Sequence, residues 1–442
     1  MLGTVTSLVP GQELVALRRL DKDEDLFLGD HVLGGPISVT DPALRPMSVV
    51  PLTMSMEMLA EAAAVLMPGK LLIGMRAIEA HQWIKVEEDP VTLQITARQL
   101  SPAGEEVEVS IRNLSTEADS ERNAATPVIR GIMVFGDHYP TPPPAAPFSL
   151  AGKRTSRLTP TDLYDGRFMF HGPCFRGVVS IEQTGEDGLI GLMQVLPADG
   201  LFRSVANPAF VTDPVVLDAA GQLVGYWTAE HLERGFVVFP YQLEALHVYR
   251  VNRPVGERVS CELKLQLLGT QRVRSDLDII GMDGQLWISL KGWADRRFDL
   301  PEQFHGFWMR SRGGLMSQPW RTPIASLPVE EAFECYRLEP FFAVGNTFWK
   351  DLWASLILSR RERREWQGLN GPEAHKQKWL SSRTVAKDAL RAFLKTHYEL
   401  ESYPADIEIS EDEQGRLIPQ GAWTRALPVV PMLAVTHADG IA

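Results

Sequence analysis

Residues 52–67 read LTMSMEMLAEAAAVLM, and this stretch decides the fold because it is apolar on nearly every side of a helix. Pro51 precedes it and Pro68-Gly69 follows it, which favours a helix that begins after residue 51 and stops at residue 68. A helix without a polar face has to be enclosed by its own domain. The sequence therefore predicts a buried helix with other elements wrapped around it.

Two parts of the chain show the same order of elements. The segments after the first helix are rich in β-branched residues and bounded by turn formers, and we predict strands at Leu72–Val86, Val91–Leu100, Glu106–Asn113 and Val128–Phe135. Asp213-Pro214 is typical of a second helix start, and the helical pattern runs to Arg234 with Gly235 beyond it. Strands are then predicted at Val237–Tyr249, Val259–Leu268, Val273–Gly281 and Leu286–Trp293. The shared order predicts two copies of one unit, each an antiparallel sheet wrapped round a buried helix.

A proline-rich segment, PTPPPAAPFS at residues 140–149, predicts an extended spacer between the two copies. Beyond about Leu300 the pattern changes to a charged helical stretch at 360–365, an amphipathic helix at 378–398 and a strand-like segment at 429–436. We therefore predict an α+β protein with an additional partial α/β domain. The predicted divisions are 1–140 for the first copy, 141–152 for the linker, 153–304 for the second copy, 305–345 for a linker or the start of the next unit, and 346–442 for the partial domain.

Composition and charge restrict the classes of function. A formal net charge of −12 argues against nucleic acid as the main partner, and no apolar run is long enough to span a membrane. The chain start lacks the features of a secretion signal, so we expect a cytoplasmic protein. Three cysteines are widely spaced and predict no disulfide framework or metal cluster. Zinc-hydrolase, nucleophile-elbow, Walker and dinucleotide-binding motifs are all missing from the sequence.

Three short motifs combine a chemically active side chain with glycine or proline. His31 lies in the glycine-rich segment GDHVLGGP at residues 29–36, where an imidazole could approach a ligand, although this segment by itself favours a surface-loop histidine beside turn glycines. His171 lies in FHGPCF at residues 170–175, where Gly172-Pro173 forces a turn. This histidine could contact a ligand or be structural.

The third motif, LDAAGQ at residues 217–222, places a carboxylate one turn into an apolar helix. Asp218, Gln222 and Gly225 share one helix face by their spacing. Burial of Asp218 should raise its pKa, which suits a general acid near neutral pH, and the Gln222 amide could orient it. The alternative is that Asp218 only caps the first turn of the helix.

The motifs DHxxxG, HGPxF and LDAxxQ occur here in that order, and this part of the chain resembles the dehydratase domain of polyketide synthases. The resemblance implies a double hotdog fold, with His31 as the catalytic base, Asp218 as the acid and Gln222 as the residue that positions the acid. It further implies that His171, Gly172 and Pro173 border the substrate tunnel. The family usually has proline where this chain has Thr40, so the oxyanion site should be shaped differently, with residues near Gly35 and the helix after Pro51 as candidates for its N–H donors.

The resemblance implies elimination of water from a 3-hydroxyacyl thioester on an acyl carrier protein, without a metal or redox cofactor. Other polyketide synthase domains would be further partners, and a homodimer is consistent with such domains. Three alternatives stay open on the sequence. The first is a product-template-like cyclase, and the second is a non-catalytic acyl-binding scaffold. The third is a role in carrier-protein activation that is completed by a second polypeptide.

The C-terminal part resembles the first half of a phosphopantetheinyl transferase through LSRRER at 358–363, KWLSSRTVAK at 378–387 and VTHADG at 435–440. The resemblance implies that Lys378, Arg383 and His437 bind coenzyme A. The carboxylate motifs that would hold Mg²⁺ do not follow, so we predict no transferase activity from this chain alone. A dehydratase followed by a transferase resembles the end of iterative synthases of the enediyne type, which make antibiotics.

Overall fold

The computed structural model describes residues 1–101, 104–115, 126–144, 147–165, 169–232, 236–250, 254–320, 333–342, 346–438 and 440–442. By their contacts these residues form two compact units. Unit 1 comprises Met1–His31 with Ser48–Asp299, and unit 2 comprises Val32–Met47 with Leu300–Ala442. Among the described residues, no helix is both long and apolar enough to cross a membrane.

Unit 1 is built on an antiparallel sheet in which twelve strands are seen in the described residues. They are β1 (Thr4–Val9), β2 (Glu13–Leu20), β3 (Leu71–Ala80), β4 (Val91–Gln99), β5 (Glu106–Asn113), β6 (Ile129–Gly136), β7 (Val178–Gly185), β8 (Gly188–Gln194), β9 (Phe236–Val248), β10 (Arg258–Leu268), β11 (Arg272–Gly281) and β12 (Leu286–Asp299). Their order across the sheet is β1-β2-β4-β5-β6-β3-β9-β12-β11-β10-β8-β7.

The two halves of this sheet have the same topology. From its outer edge inward, the first half runs β1-β2-β4-β5-β6-β3 and the second half runs β7-β8-β10-β11-β12-β9. The two halves join where β3 pairs with β9. The long helices occupy equivalent places, because α1 (Leu52–Leu66) connects β2 to β3 and a second helix, Pro214–His231, connects β8 to β9. This arrangement confirms the predicted double hotdog, with one helix enclosed by each half.

Each helix begins where the sequence predicts it. Residues on all sides of α1 are buried, as its apolar sequence requires. A short helix, α2 (Pro160–Tyr164), precedes the long helix Pro214–His231, which is α3. The Asp213 side chain caps α3 by accepting a hydrogen bond from the Val216 N–H at 3.0 Å. The predicted end of α3 at Arg234-Gly235 lies outside the described residues, as do parts of the predicted linkers at 145–146, 321–332 and 343–345.

Unit 2 is mainly helical. Its helices in the described residues are α4 (Glu302–Met309), α5 (Thr347–Ile357), α6 (Arg360–Gly368) and α7 (Glu373–Tyr398). Short antiparallel pairs join Gln318–Pro319 to Tyr336–Arg337 and Glu408–Glu411 to Leu417–Gln420. The remaining short strands in the described parts of the chain are Val32–Leu33, Met47–Val49 and Lys85–Val86. The predicted strand at 429–436 is wrong, since only Leu433 of that stretch makes a β-bridge.

The segment Val32–Met47 belongs to unit 2, although the sequence places it within the first copy. Gly34 shows the reason. Its backbone has a φ of +137°, and an added Cβ would come within 2.7 Å of Leu356 on α5. Glycine at this position therefore allows close packing on α5, which differs from the ligand approach that the sequence suggested.

Candidate active site

The backbone of His31 is fixed on both sides. Its carbonyl accepts a hydrogen bond from the Val49 N–H at 3.1 Å, and His31 forms a β-bridge with His171. The Gly172 N–H donates to the Asp30 carbonyl at 2.7 Å. A Cβ at Gly172 would lie 2.8 Å from the Asp30 Cα, so only glycine permits this approach. The HGP motif is therefore required for the contact between the two histidine segments.

One ring nitrogen of His31 is occupied and the other is available. Nδ1 lies 2.6 Å from the Val49 carbonyl oxygen, which can only accept, so Nδ1 carries the proton. The lone pair is consequently on Nε2. Burial lowers the pKa of His31 to about 4, although its bond to Val49 acts in the opposite direction. The imidazole is thus neutral, with a basic Nε2, at neutral pH.

Asp218 lies one turn into α3 and is not its cap, because Asp213 has that role. Gln222 follows one turn later, and its Nε2 donates to Asp218 Oδ2 at 2.8 Å and to the Phe175 carbonyl at 2.8 Å. The Tyr164 hydroxyl donates to Gln222 Oε1 at 2.8 Å. Gln222 is therefore held at both ends of its amide, and it fixes the carboxyl group of Asp218.

The environment of Asp218 favours the protonated acid. Burial raises its pKa from 3.8 to about 7, and the Gln222 hydrogen bond only partly opposes this shift. No lysine or arginine forms an ion pair with this carboxyl in the described part of unit 1; the nearby base is His171, whose Nε2 lies 3.3 Å from Asp218 Oδ2. A carboxyl in such a site can donate a proton near neutral pH.

His171 lies beside both groups. Its ring stacks on Phe170 at 4.4 Å between centroids and lies 5.1 Å from the His31 ring. Burial lowers the pKa of His171, and the proximity of His31 adds to this shift. Its Nδ1 is buried and has no hydrogen-bond partner among the described residues. The second histidine is therefore also neutral.

We call His31, His171 and Asp218 the His–His–Asp cluster. One ligand atom from each lies within 4.8 Å of the others. Two imidazoles and a carboxylate are a donor set that Zn²⁺ accepts, so these residues could also hold a divalent cation. The sequence motifs place the three residues far apart along the chain, and the fold brings them together.

Several residues of the site were not found from the sequence. Val49 fixes the tautomer of His31, and Tyr164 holds Gln222. Phe239 lies 6.2 Å from Phe170 between ring centroids and extends the aromatic wall beside His31. Val49 lies two residues before Pro51, which marks the predicted helix start and is the signal that could have drawn attention to it. The contacts of Tyr164 and Phe239 join segments far apart in sequence, so no local pattern indicates them.

The other predicted site residues are placed as follows. Pro173 begins a short 3-10 turn after Gly172 and is exposed. Gly35 is buried and belongs to unit 2, and its predicted place at the oxyanion site stays a prediction. In the described part of unit 1, the residues brought together are thus His31, Asp218, His171, Gly172 and Gln222.

The residues predicted to bind coenzyme A lie in unit 2. Lys378 and Arg383 are on α7, and the Ser382 hydroxyl between them donates to the Lys378 carbonyl at 2.9 Å. His437 Nε2 lies 2.7 Å from the same hydroxyl. The Arg383 guanidinium lies over the Trp379 ring at 4.8 Å. Arg383 also pairs with Glu411 at 3.3 Å, so His437 contacts Ser382 on α7 while the Arg383 side chain is held by Trp379 and Glu411.

Residues 146–301 match the family model described as the polyketide synthase dehydratase N-terminal domain. A polyunsaturated fatty acid synthase polypeptide from Thraustochytrium sp. is 25% identical over 243 residues, which is 54% of this chain and 8% of that protein. The chain thus spans less than a tenth of the length of this relative. The family match ends at residue 301 and does not include the transferase-like part.

Similar solved structures are dehydratase domains. The domain from the CurF module of curacin polyketide synthase is 15% identical with a TM-score of 0.48, over 67% of this chain and 98% of that chain. The domain of PpsC from Mycobacterium tuberculosis is 22% identical with a TM-score of 0.48, over 67% and 98%. The domain of RzxB from Pseudomonas fluorescens is 16% identical with a TM-score of 0.49, over 66% and 96%. Residues 146–301 are thus similar to the dehydratase domains of polyketide synthases.

Proposed function

We propose that unit 1 removes water from a 3-hydroxyacyl thioester, with His31 as the base and Asp218 as the acid. The observation that carries this proposal is the pairing of a neutral imidazole with a free Nε2 and a protonated carboxyl within 4.8 Å. One hotdog supplies the base and the other supplies the acid. Elimination needs both at once, because carbon 2 loses a proton while the 3-hydroxyl must gain one.

In the proposed reaction His31 Nε2 takes the proton from carbon 2, and the electron pair forms the new double bond. The carbon–oxygen bond at carbon 3 breaks as Asp218 gives its proton to the leaving hydroxyl, which departs as water. The product is a 2,3-unsaturated thioester. His31 is then protonated and Asp218 ionised, and a proton passing from His31 to Asp218 within the cluster restores the starting state.

Gln222 and His171 support these roles. The Gln222 amide is held by Tyr164 and Phe175, so it presents Nε2 to the acid in one orientation. His171 Nε2 lies 3.3 Å from the acid and can accept its hydrogen bond before substrate binds. Gly172 and Pro173 form the turn that holds His171 against the His31 segment.

The test is mass-spectrometric turnover of a 3-hydroxyacyl group loaded on a carrier protein. With wild type, the acyl group on the carrier should lose about 18 mass units, which is the mass of the water eliminated. The rate of this reaction should be about 10²- to 10⁴-fold lower with His31→Ala and with Asp218→Asn. Asp213→Asn is the matched control, because it changes a carboxylate on the same helix and asparagine caps as well as aspartate. Equal loss of water in wild type and both variants would contradict the assignment.

The same assay separates the alternatives. A product-template-like cyclase would convert a poly-β-ketone substrate without loss of water from a 3-hydroxyacyl chain. A scaffold would bind the loaded carrier and leave it unchanged. A scaffold needs no acid held protonated near pH 7 beside a neutral base, which counts against that alternative. A cyclase could use the same pair for aldol closure, so the choice of substrate in this assay decides between cyclase and dehydratase.

The substrate and partners are also proposals. We propose that the acyl chain arrives on the phosphopantetheine arm of an acyl carrier protein, within a larger synthase of the enediyne or a related iterative type. The family match and the relative in a fatty acid synthase support a multidomain setting. A homodimer and a cytoplasmic location, which the sequence led us to expect, stay predictions.

A second proposal concerns unit 2. We propose that Lys378, Arg383 and His437 bind the phosphates of coenzyme A, as their resemblance to a phosphopantetheinyl transferase implies. Two observations support this: His437 contacts Ser382, the residue before Arg383, and Arg383 Nε is buried without a partner among the described residues. Calorimetry should show binding of coenzyme A but not of pantetheine, which lacks the phosphates. Arg383→Gln should weaken it, whereas Lys395→Gln, an exposed change on the same helix, should not.

A further inference from the structure

The chain leaves unit 1 immediately after His31 and re-enters it at Ser48. The two ends of this excursion meet at the proposed base. The Val49 N–H donates to the His31 carbonyl at 3.1 Å, and His31 Nδ1 donates to the Val49 carbonyl at 2.6 Å. Any movement of the intervening segment therefore acts on the hydrogen bonds that set the tautomer and orientation of His31.

Asp406 of unit 2 binds the tip of this segment. Its Oδ1 accepts hydrogen bonds from the Ser38 hydroxyl at 2.5 Å, the Thr40 hydroxyl at 2.7 Å and the Thr40 N–H at 3.1 Å. The Val39 N–H donates to both carboxylate oxygens at 3.0 and 3.1 Å. These bonds lower the pKa of Asp406, so the carboxylate is charged and the bonds are charge-assisted.

Further contacts hold the same segment within unit 2. The Arg360 guanidinium pairs with Asp41 at 3.0 Å, and Arg363 donates to the Arg45 carbonyl at 2.7 Å. The Ala405 N–H donates to the Ile37 carbonyl at 3.2 Å. Backbone and side-chain bonds therefore fix the segment along most of its length.

Asp406 is itself held by a buried network. It lies in the short turn Pro404–Asp406, and the Lys387 ammonium donates to the Pro404 carbonyl at 3.1 Å. Lys387 also pairs with Glu362, and both side chains are fully buried. Glu362 in turn accepts from the Ile409 N–H at 3.1 Å. The turn that carries Asp406 is therefore bonded to the buried core of unit 2.

We propose that Asp406 is a positioning residue for dehydration, because it fixes the segment whose two ends close on His31. The proposal rests on the dehydratase function of unit 1 and gives unit 2 a role in that reaction. Asp406 lies far from the reacting atoms in sequence and acts only through Ser38, Val39 and Thr40. A shift of about 1 Å in a catalytic group can cost about 100-fold in rate, so loss of the anchor should be measurable.

The test compares Asp406→Ala with Asp412→Ala in the full chain. Asp412 is a matched control, since it is also a carboxylate of unit 2 that accepts several hydrogen bonds, and its donors among the described residues are Gln414 and Arg416. Amide exchange in the peptide covering residues 32–49 should become faster in Asp406→Ala alone. The kcat for loss of water should fall about 10- to 100-fold with little change in KM. Asp406→Asn should restore part of the rate, because its oxygen can still accept.

The fall in kcat at an unchanged KM, together with the partial recovery of rate in Asp406→Asn, separates positioning from a general loss of structure. Where Asp406→Ala does not fold, the double variant Ser38→Ala with Thr40→Val removes the two hydroxyl donors and should give the same changes.

The outcomes distinguish the two proposals. An active wild type, with unchanged kcat and unchanged amide exchange in Asp406→Ala, would overturn the positioning role alone. An inactive wild type would overturn the dehydratase function, and the exchange data would then decide the anchoring by themselves. In that case faster exchange in 32–49 supports the anchor, and unchanged exchange overturns it.

Discussion

Replacing Asp218 by asparagine is expected to stabilise the protein at alkaline pH while it stops dehydration. The side chain of Asp218 is only 11% exposed to solvent, and this burial raises its pKa from 3.8 to about 7. A raised acid pKa means that the folded state retains a proton that the unfolded state has released. The free energy of unfolding therefore falls as pH rises from about 4 to 7. Asparagine has the same shape, still accepts from Gln222 and avoids this loss.

The size of the effect follows from the shift. Each pKa unit corresponds to about 1.36 kcal/mol. The raised pKa of Asp218 therefore lowers the free energy of unfolding by about 4 kcal/mol at pH 8 and by about 1.5 kcal/mol at pH 5. Asp218→Asn should consequently raise the free energy of unfolding at pH 8 by about 2 to 3 kcal/mol more than at pH 5. Such a loss of stability at an active-site acid is an example of the trade-off between stability and activity.

The assay is denaturant unfolding of wild type and variant at pH 5 and pH 8, with the change in unfolding free energy taken from the midpoints. Asp213→Asn serves as the control, because it conserves the cap of the same helix and should have a similar, small effect at both pH values. A variant that gains the same stability at both pH values, or loses stability at pH 8, would refute the burial argument for Asp218.

Three other changes test neighbouring parts of the structure. Gln222→Met removes the donor to Asp218, so the alkaline limb of kcat/KM should move up by about one pH unit from its position near 7, and an unmoved limb would contradict the role of Gln222. Lys387→Met leaves Glu362 buried without its cation and should lower the free energy of unfolding by about 3 to 5 kcal/mol, measured by denaturant unfolding. Added Zn²⁺ should inhibit dehydration by binding the His–His–Asp cluster, EDTA should reverse the inhibition, and turnover in EDTA alone should equal that of the untreated protein.

The central strands of both hotdogs could be predicted from the sequence, and the outer ones could not. The segment Glu106–Asn113 is found residue for residue, because its buried and exposed side chains alternate. Strand β1 is exposed at every position, so no alternation marks it. Strand β8 is obscured by Gly191, where a Cβ would lie 2.6 Å from Leu223 of α3. Close packing of helix on sheet thus removes the very residues that would have indicated a strand.

The candidate site could be predicted only as far as its local motifs extend. Asp218 and Gln222 are one helical turn apart, so their hydrogen bond follows from the spacing. The bond between His31 and Val49 closes over an inserted segment, and Tyr164 reaches Gln222 from another helix. Such contacts depend on tertiary packing, which no local pattern records. The membership of Val32–Met47 in unit 2 was missed for the same reason.

Glu57 on α1 and Asp218 on α3 are acids near the start of the two central helices, and their hydrogen bonds explain why only Asp218 is available for chemistry. Glu57 on α1 accepts from the Val211 N–H at 2.6 Å, from the Thr212 N–H at 2.8 Å and from the Thr212 hydroxyl. Its oxygens are thereby committed to holding the residues that precede α3. Asp218 accepts from Gln222 at one oxygen only and otherwise faces His171. The equivalent helices have thus taken different tasks, since Glu57 fixes the start of the helix from which Asp218 can meet a substrate.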